Sequence, residues 1–511
     1  MIKKVICLSL LTIYALFVAH LSVAATDADN HFIIINAFVV DGSGAVGKLS
    51  NVRVTDGIIT EIGDIRSVDT DNVIDAGGLV LAPGFIDTHS HHDWGLIDKP
   101  HADAVVSQGV TTIIVGQDGG SDKPIAELKA ALKTTPVAVN IGTYTGHGTI
   151  RAAVMGTDFK RVATEEEIKA MKELLVHELE NGSLGLSTGL EYDPGIYSTT
   201  EEIIALAKKV AEYKGRYISH MRSEDRALKA AIDELIHIGR EADLQVQVSH
   251  IKLASVELWG QADEIIKKLD KARAEGIDVT ADIYPYTFWE STLTVLLPDR
   301  DFYDKEAATF ALEKLAPADG LTLTYYAPDQ TLVGKTVAEI AKMRGDGEVD
   351  TYLELIRTAY AGINPDDEEA GRRESVMGES MSEEDIQTLI AWPHANICSD
   401  GAFEGHPRGH GAFARALHQY VVEGEVLSLE EMIRKMTSLS AAHIGIKDRG
   451  LIAKGYKADL VLFDPDKVKD NATIEDPDAL SDGINQVWVN GISVWHRSQP
   501  SGAYPGEFIE R

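Results

Sequence analysis

The sequence predicts a closed (β/α)8 barrel with a small β-sandwich beside it, and three observations predict it. Between Pro83 and about residue 440, short apolar stretches of strand length alternate with amphipathic helical stretches, the pattern of a parallel sheet covered by helices. Eight such strands fit in that span, the number that closes a barrel. At residues 26–82 and 441–511 the helical spacing gives way to strands and tight turns, so the two ends of the chain form one separate β unit. A chain of 511 residues that is 44% hydrophobic can bury a core of that size. An open, doubly wound sheet is the alternative arrangement of the same elements.

The chain begins with Lys3 and Lys4 ahead of an apolar run from Val5 to Ala19, which is short for a membrane span, and small residues at 22–25 supply a cleavage site. Residues 1–25 therefore read as a signal peptide, placing the mature protein in a periplasm or outside the cell with no stable membrane insertion. An uncleaved anchor is the other reading; His20 and the lack of a basic stop flank speak against it. Cys7 falls in the leader and leaves Cys398 alone, which excludes an internal disulfide and a paired-cysteine zinc site. A formal charge of −32 repels nucleic acid and anionic membrane, leaving a small molecule as the expected partner.

Strand signals at 33–40, 52–54 and 58–62 are separated by a glycine-rich stretch and by Asp56-Gly57, a hairpin turn. The stretch Gly42-Ser-Gly-Ala-Val-Gly47 matches a dinucleotide fingerprint in form, but strand pattern rather than a helix follows it, so it reads as a hairpin loop. The barrel strands are the one entering His89 and those at 111–115, 137–141, 184–187, 216–219, 244–248, 277–281 and 395–398. Thr164 with Glu167, and Thr199 with Glu202, have capping-box spacing, and Ile168, Met171, Leu174, Leu175 and Leu179 then recur at helical intervals. One long interruption, at about 287–392, reads as an insertion that either covers the C-terminal mouth or decorates a distant surface. Strand pattern returns at 458–463 and 487–494, the latter turning at Asn490-Gly491, while the acidic run 464–478 lacks the spacing of a calcium loop.

The residues that end these strands form a chemical set. Strand one runs into His89-Ser-His91, strand two into Gln117-Asp118, strand five into His220, strand six into His250 and strand eight into Asp400. In a barrel those ends share one mouth. With 17 histidines in the chain, one His-x-His is weak; four histidines and two carboxylates at one end of different strands are not. A nitrogen-rich set of this kind suits Zn2+, as one or two ions, better than Mg2+ or Ca2+. Zinc-bound water ionises near neutral pH, and Asp400 is placed to pass its proton to a leaving amine.

On these residues the chain resembles the amidohydrolase superfamily and, within it, the N-acyl-D-amino-acid deacylase (D-aminoacylase) family. The motifs that carry the resemblance span most of the mature chain: Pro83-Gly-Phe-Ile-Asp-Thr-His-Ser-His91, Gly146-His-Gly148, Gly185-Leu-Ser-Thr-Gly-Leu190, His220-Met-Arg-Ser-Glu224, Val248-Ser-His-Ile-Lys252, Tyr284-Pro-Tyr286, Ser399-Asp-Gly401 and His406-Pro-Arg408. The resemblance implies a barrel of the metal-dependent hydrolase type that cleaves the amide of N-acyl-D-amino acids. It also implies His89 and His91 at one metal position, His220 and His250 at the other, and Asp400 as the catalytic acid. Lys252 and Tyr284 match positions that hold the substrate's carboxylate or carbonyl, with Ser291 nearby. Arg222 reads equally as an anion partner or as half of a structural salt bridge.

Two departures stand out. Where the resembling family has Gly-Asn-Cys-Gly after the second strand, this chain has Gly116-Gln-Asp118-Gly119, so a carboxylate replaces a thiolate ligand. Glu191 is a second candidate for a bridging acid, or an ordinary rim carboxylate. After Tyr286, where small residues are usual, stand Thr287-Phe-Trp-Glu290, whose bulk and charge suggest tolerance of basic or dipeptide-like substrates. A dipeptidase or cyclic-amide hydrolase on the same scaffold, and a metal-binding relative without catalysis, are the competing functions.

Overall fold

The computed structural model describes residues 30–69, 71–121, 124–362 and 373–510. The expected leader, residues 1–25, lies outside the described residues. Parallel strands Phe85–Asp87, Val110–Val115 and Asn140–Thr143 pair in that order. Thr145–Gly146 continues the third and pairs with Gly185–Gly189; Arg216–His220, Val246–Val248, Val279–Ile283 and Ala395–Ile397 then follow in chain order. A parallel bridge between Ser90 and Gly401 brings the first and last strands together, completing the eight-stranded arrangement. Nearly every residue of these strands is buried, as expected where helices cover one face and packed side chains fill the other.

Strand three begins at Asn140 rather than at residue 137. The stretch before it is occupied otherwise: Ala138 donates its amide to Pro100, and the Val137 carbonyl accepts from Gly506 near the C-terminus. At Thr164 the capping box is complete, but at Thr199 it is half made. Thr199 caps the Glu202 amide, while the Glu202 carboxylate turns inward to His147 Nε2 at 2.8 Å and to Arg151. A buried ion pair thus takes the side chain that the cap would have used.

The two chain ends interleave in one nine-stranded sheet. His31–Val39 pairs with Lys48–Thr55 on one side and with Val80–Pro83 on the other, and Val80–Pro83 continues to Leu460–Phe463 from the far end of the sequence. Phe32, Ile34, Leu81, Leu460 and Trp488 share its apolar core. The two hairpin turns, Asp56-Gly57 and Asn490-Gly491, adopt the positive φ angles that such turns demand. Asp459 ties this sheet to the barrel: its carboxylate accepts from Asn140 Nδ2 at 3.1 Å and pairs with Arg449.

The insertion holds its own antiparallel sheet, with Glu374–Glu379 paired to Phe288–Ser291 and to Leu321–Tyr326. Residues Trp289 to Thr292, the turn Leu293–Leu296 and Glu374 stand on the wall of the barrel's mouth. No described helix is long and apolar enough to cross a membrane.

Candidate metal centre and its cavity

The mouth is built by backbone that few sequences would adopt unaided. His89 and His91 follow the first strand, where the His89 carbonyl accepts from the Asp400 amide at 2.8 Å and His91 donates to Gly401 at 2.9 Å. Asp87 holds this junction, accepting from the Ser399 amide at 2.9 Å and from its hydroxyl at 2.5 Å. After the second strand Gly116 turns with φ +71°, where any β-carbon would meet the Tyr144 carbonyl at 2.2 Å. Asp118, His250 and Asp400 also sit at positive φ, at +53°, +33° and +50°. Non-glycine residues there carry strain, which persists at functional sites when the surroundings over-determine it.

The distances define two groups of donor atoms. His89 Nε2 and His91 Nε2 each lie 3.3 Å from Asp118 Oδ2 and 3.3 Å from Asp400 Oδ1. Four ligands placed tetrahedrally about 2.0–2.1 Å from one zinc stand about 3.3–3.4 Å apart, and the four histidine-to-carboxylate distances here match that spacing. On the other side of the same carboxylate, His250 Nε2 lies 3.3 Å from Asp118 Oδ1 and 3.1 Å from His220 Nδ1. Asp118 Oδ1 is buried and receives no hydrogen bond. An unsatisfied buried carboxylate oxygen beside the His250 imidazole is costly unless a cation meets it, which fits a metal.

The rings of His220 and His250 are held by the nitrogen that does not face the centre. His220 Nε2 meets Glu191 at 2.9 Å, and His250 Nδ1 meets Glu224 at 2.9 Å. His89 Nδ1 lies 3.7 Å from Asp282, which also accepts the His250 amide at 2.6 Å. Carboxylates behind ligand imidazoles fix their orientation and tautomer. Asp400 Oδ2 meets Arg408 Nη1 at 2.8 Å, leaving Oδ1 for the centre.

The electrostatics agree. Burial alone would lower the pKa of His91, but the carboxylates of Asp118 and Asp400 outweigh it and raise it to about 10. Burial and Lys252 both oppose a charge on His250, yet Glu224, Asp400 and Asp118 carry it to about 10 as well. For Asp400, burial favours the neutral acid, but Arg408, His250 and His89 hold it well below the ordinary carboxylate range. The cluster therefore has a surplus of negative charge that attracts cations, protons included.

The expected donors His89, His91, Asp118, His220, His250 and Asp400 all converge. Glu191 does not bridge: it binds the far nitrogen of His220, and the bridging geometry belongs to Asp118. Arg222 is not at the site. Its Nε and Nη2 both donate to Glu234 at 2.9 Å, a fork-on-carboxylate pair on the helical layer. Lys252 lines the cavity but spends its ammonium on Glu224, 2.7 Å from both oxygens. Tyr284 lies with its ring 4.6 Å from the Arg408 guanidinium and its hydroxyl buried without a partner; Ser291 is on the cavity wall. The sequence reading missed the roles of Arg408, Glu224 and Asp282. The first two stand in motifs already noted, His406-Pro-Arg408 and His220-Met-Arg-Ser-Glu224, whereas nothing in the local sequence marks Asp282.

These groups open into a cavity of about 720 Å3, a size suited to a small organic ligand. His91, Trp94 and Phe403 lie on its barrel side, and Trp289, Val295 and Leu296 on the insertion side. Glu290 is also on the wall; it accepts from Thr324 Oγ1 at 2.8 Å, Ser375 Oγ at 2.9 Å and the His406 amide at 2.9 Å, joining the insertion to the loop that carries Arg408.

Comparison with known proteins adds three findings. The model of the amidohydrolase family Amidohydro_3 matches residues 72–495. The chain is 34% identical to a D-aminoacylase and 35% identical to an N-acyl-D-aspartate deacylase, both of Alcaligenes xylosoxydans xylosoxydans, over 94% of this chain and 97% and 95% of theirs. The fold superposes with a TM-score of 0.83 on an N-acyl-D-glutamate deacylase of Bordetella bronchiseptica, solved with zinc and a phosphonate mimic of the tetrahedral intermediate, at 31% identity over 94% of this chain and 99% of that one.

Proposed function

Because the chain belongs to the amidohydrolase family, we propose that it is a metal-dependent hydrolase that cleaves the amide of N-acyl-D-amino acids to a carboxylate and a free amino acid. The observation that carries this reading is the gathering of four imidazoles and Asp400 about Asp118 at the barrel mouth, with neighbouring donor atoms 3.1–3.3 Å apart. Zinc, the metal bound by the N-acyl-D-glutamate deacylase, fits this donor set; when bound it supplies hydroxide at neutral pH and polarises the acyl carbonyl.

The remaining chemistry belongs to the chain. Asp400 keeps Oδ2 on Arg408 and turns Oδ1 to the centre, where it accepts the proton of the attacking water and returns it to the leaving nitrogen. Arg408 Nε is buried with no acceptor, and the Tyr284 hydroxyl beneath that guanidinium has no partner either. A substrate carboxylate next to the scissile amide gives Arg408, which lines the cavity, an acceptor, and this supports an acyclic N-acyl amino acid. The preference for the D enantiomer rests on the relatives alone.

Asp400→Asn tests the proton-carrying role. Turnover should fall by about 10²–10⁴-fold while metal content is retained; near-normal turnover refutes the role. Metal-replete protein that is inactive on N-acyl amino acids but active on dipeptides or cyclic amides would move the substrate class. Export is part of the same proposal, supported by Lys3, Lys4 and the apolar run from Val5 to Ala19. Amino-terminal sequencing of protein from the expressing cell's periplasm should begin near Ala25 or Thr26, and an intact Met1 would contradict export.

A further inference from the structure

The barrel has a second cavity, of about 860 Å3, at the end opposite the metal centre. It lies at the starts of the strands Gly185–Gly189 and Arg216–His220 and is closed by residues 444–449 and 507–510. Arg216 and His220 thus end one strand on two different faces of the molecule. Five cationic side chains line this cavity against three carboxylates. Two of the cations are engaged: Arg449 pairs with Asp459 and, at 3.1 Å, with Glu507, and Lys457 lies 3.2 Å from the same Glu507. Glu510 is taken by Lys129 at 2.5 Å. Lys214, Arg216 and Lys447 pair with no carboxylate among the described residues, so three cations face one remaining acid, Asp448. We infer that this face carries a binding site for a small multivalent oxyanion, a phosphate or a polycarboxylate, held by Arg216 together with Lys214 and Lys447.

Arg216 is the centre of the site because its donors are unspent. Its Nε is buried without an acceptor, and the one hydrogen bond its guanidinium makes is a long one, from Nη1 to the Lys214 carbonyl at 3.4 Å. A buried donor of a cation left without an acceptor is costly, and an oxyanion removes that cost. The guanidinium lies against Gly445, which turns with φ +87°; a β-carbon there would come 3.2 Å from Nη2, so glycine gives the fork its room. Lys214 stands at the end of the helix Thr200–Glu212 with φ +56°, a position usually given to glycine, and here it adds a second cation beside the first.

The charge is the second line of reasoning. The chain holds 80 acidic against 48 basic residues, so an anion is repelled from most of its surface, and a concave surplus of cations is where it is drawn instead. Behind Arg216 the barrel floor is apolar, with Leu184, Ile218 and Ile444 in one buried cluster, and a wall of low dielectric strengthens the pairing. A guanidinium fork suits the paired oxygens of a phosphate or carboxylate, and two further ammonium groups favour a ligand of more than one charge over a monocarboxylate. The cavity is of the size of small-molecule sites. It shares no residue with the metal centre, so it stands or falls apart from the deacylase reading.

Calorimetric titration tests the site. Full-length protein, both zinc-loaded and chelator-stripped, is titrated at low ionic strength with inorganic phosphate, citrate and acetate. Both forms should bind phosphate or citrate saturably, at least about tenfold more tightly than acetate, because a multivalent anion makes more charge-assisted bonds. Tighter phosphate marks a phosphate site and tighter citrate a polycarboxylate site; either order, or parity, supports the shared chemistry. Arg216→Gln should weaken binding by about tenfold or more, with part of the loss recovered in Arg216→Lys. Lys447→Gln, at an exposed position, should weaken it by about threefold or more and keeps the test open if the Arg216 variants fail to fold, which circular dichroism checks. Absence of saturable binding of both phosphate and citrate overturns the inference. So does binding that acetate matches, that disappears when zinc is stripped, or that is unchanged in the folded variants.

Discussion

At the scale of single residues the site depends on which atom of each side chain faces the centre. The six donors were legible in the sequence because each ends a predicted strand, and the ends of parallel barrel strands must share a mouth. Their supports were not legible in the same way. Glu191 and Glu224 are both acids near His220, and only side-chain torsions decide that one takes His220 Nε2 and the other His250 Nδ1. Arg222 and Arg408 are both arginines in family motifs, and only the packing partner separates them: Glu234 for the first, Asp400 for the second. Glu224→Gln should weaken metal binding by about 10–100-fold, measured by competition with a chromophoric chelator, because it removes the negative charge behind His250. Arg408→Lys keeps the charge but loses the fork geometry, so KM for an N-acyl amino acid should rise more than kcat falls. Glu290 places negative charge on the cavity wall, which supports acceptance of neutral or basic side chains over acidic ones. Glu290→Ala should reduce any preference for basic over neutral substrates, and an unaltered profile removes that idea.

At the scale of elements, strand positions followed from apolar runs, but boundaries shifted where another segment claimed the backbone. Strand three starts late because Val137 and Ala138 bond to Gly506 and Pro100, partners too distant in sequence for local pattern to reveal. The second capping box is half made for a similar reason, since Glu202 serves a buried pair instead. The helix Leu429–Met436 contains a further case, the fully buried Lys435, which donates to the carbonyls of Trp392 at 2.5 Å and Ala395 at 2.9 Å at the start of the last barrel strand. Burial, only partly offset by Glu431, lowers its pKa from 10.5 to about 7. Between about pH 7 and pH 10 the unfolded chain then binds more protons than the folded one, so this group makes stability rise with pH across that window. Below pH 7 it is protonated in both states and its cost is constant. Melting curves of wild type and Lys435→Met should therefore diverge with pH, wild type gaining from about pH 7 to pH 10; a constant difference would contradict the shift.

At the scale of the whole molecule, sheet and barrel are one connected structure. The nine-stranded sheet is assembled from both chain ends, and Asp459 anchors it to Asn140 on a barrel strand while pairing with the buried Arg449. Arg449→Ala leaves the Asp459 carboxylate short of its cation inside the protein, and should cost about 3–5 kcal/mol in denaturant unfolding. The general architecture was legible because strand–helix alternation and paired β ends admit few topologies. The insertion was not, because nothing in its own sequence states which end of the barrel it covers, and the structure places it on the wall of the active cavity. The account joins that cavity, the six donors and the family in one claim: a metal-dependent deacylase of N-acyl-D-amino acids. The most direct test is a paired assay of N-acetyl-D- and N-acetyl-L-amino acids with metal-replete and chelator-stripped protein. The account predicts free amino acid from the D series only, lost on stripping and restored by Zn2+. Full activity in stripped, metal-free protein, or release from the L series alone, would contradict it.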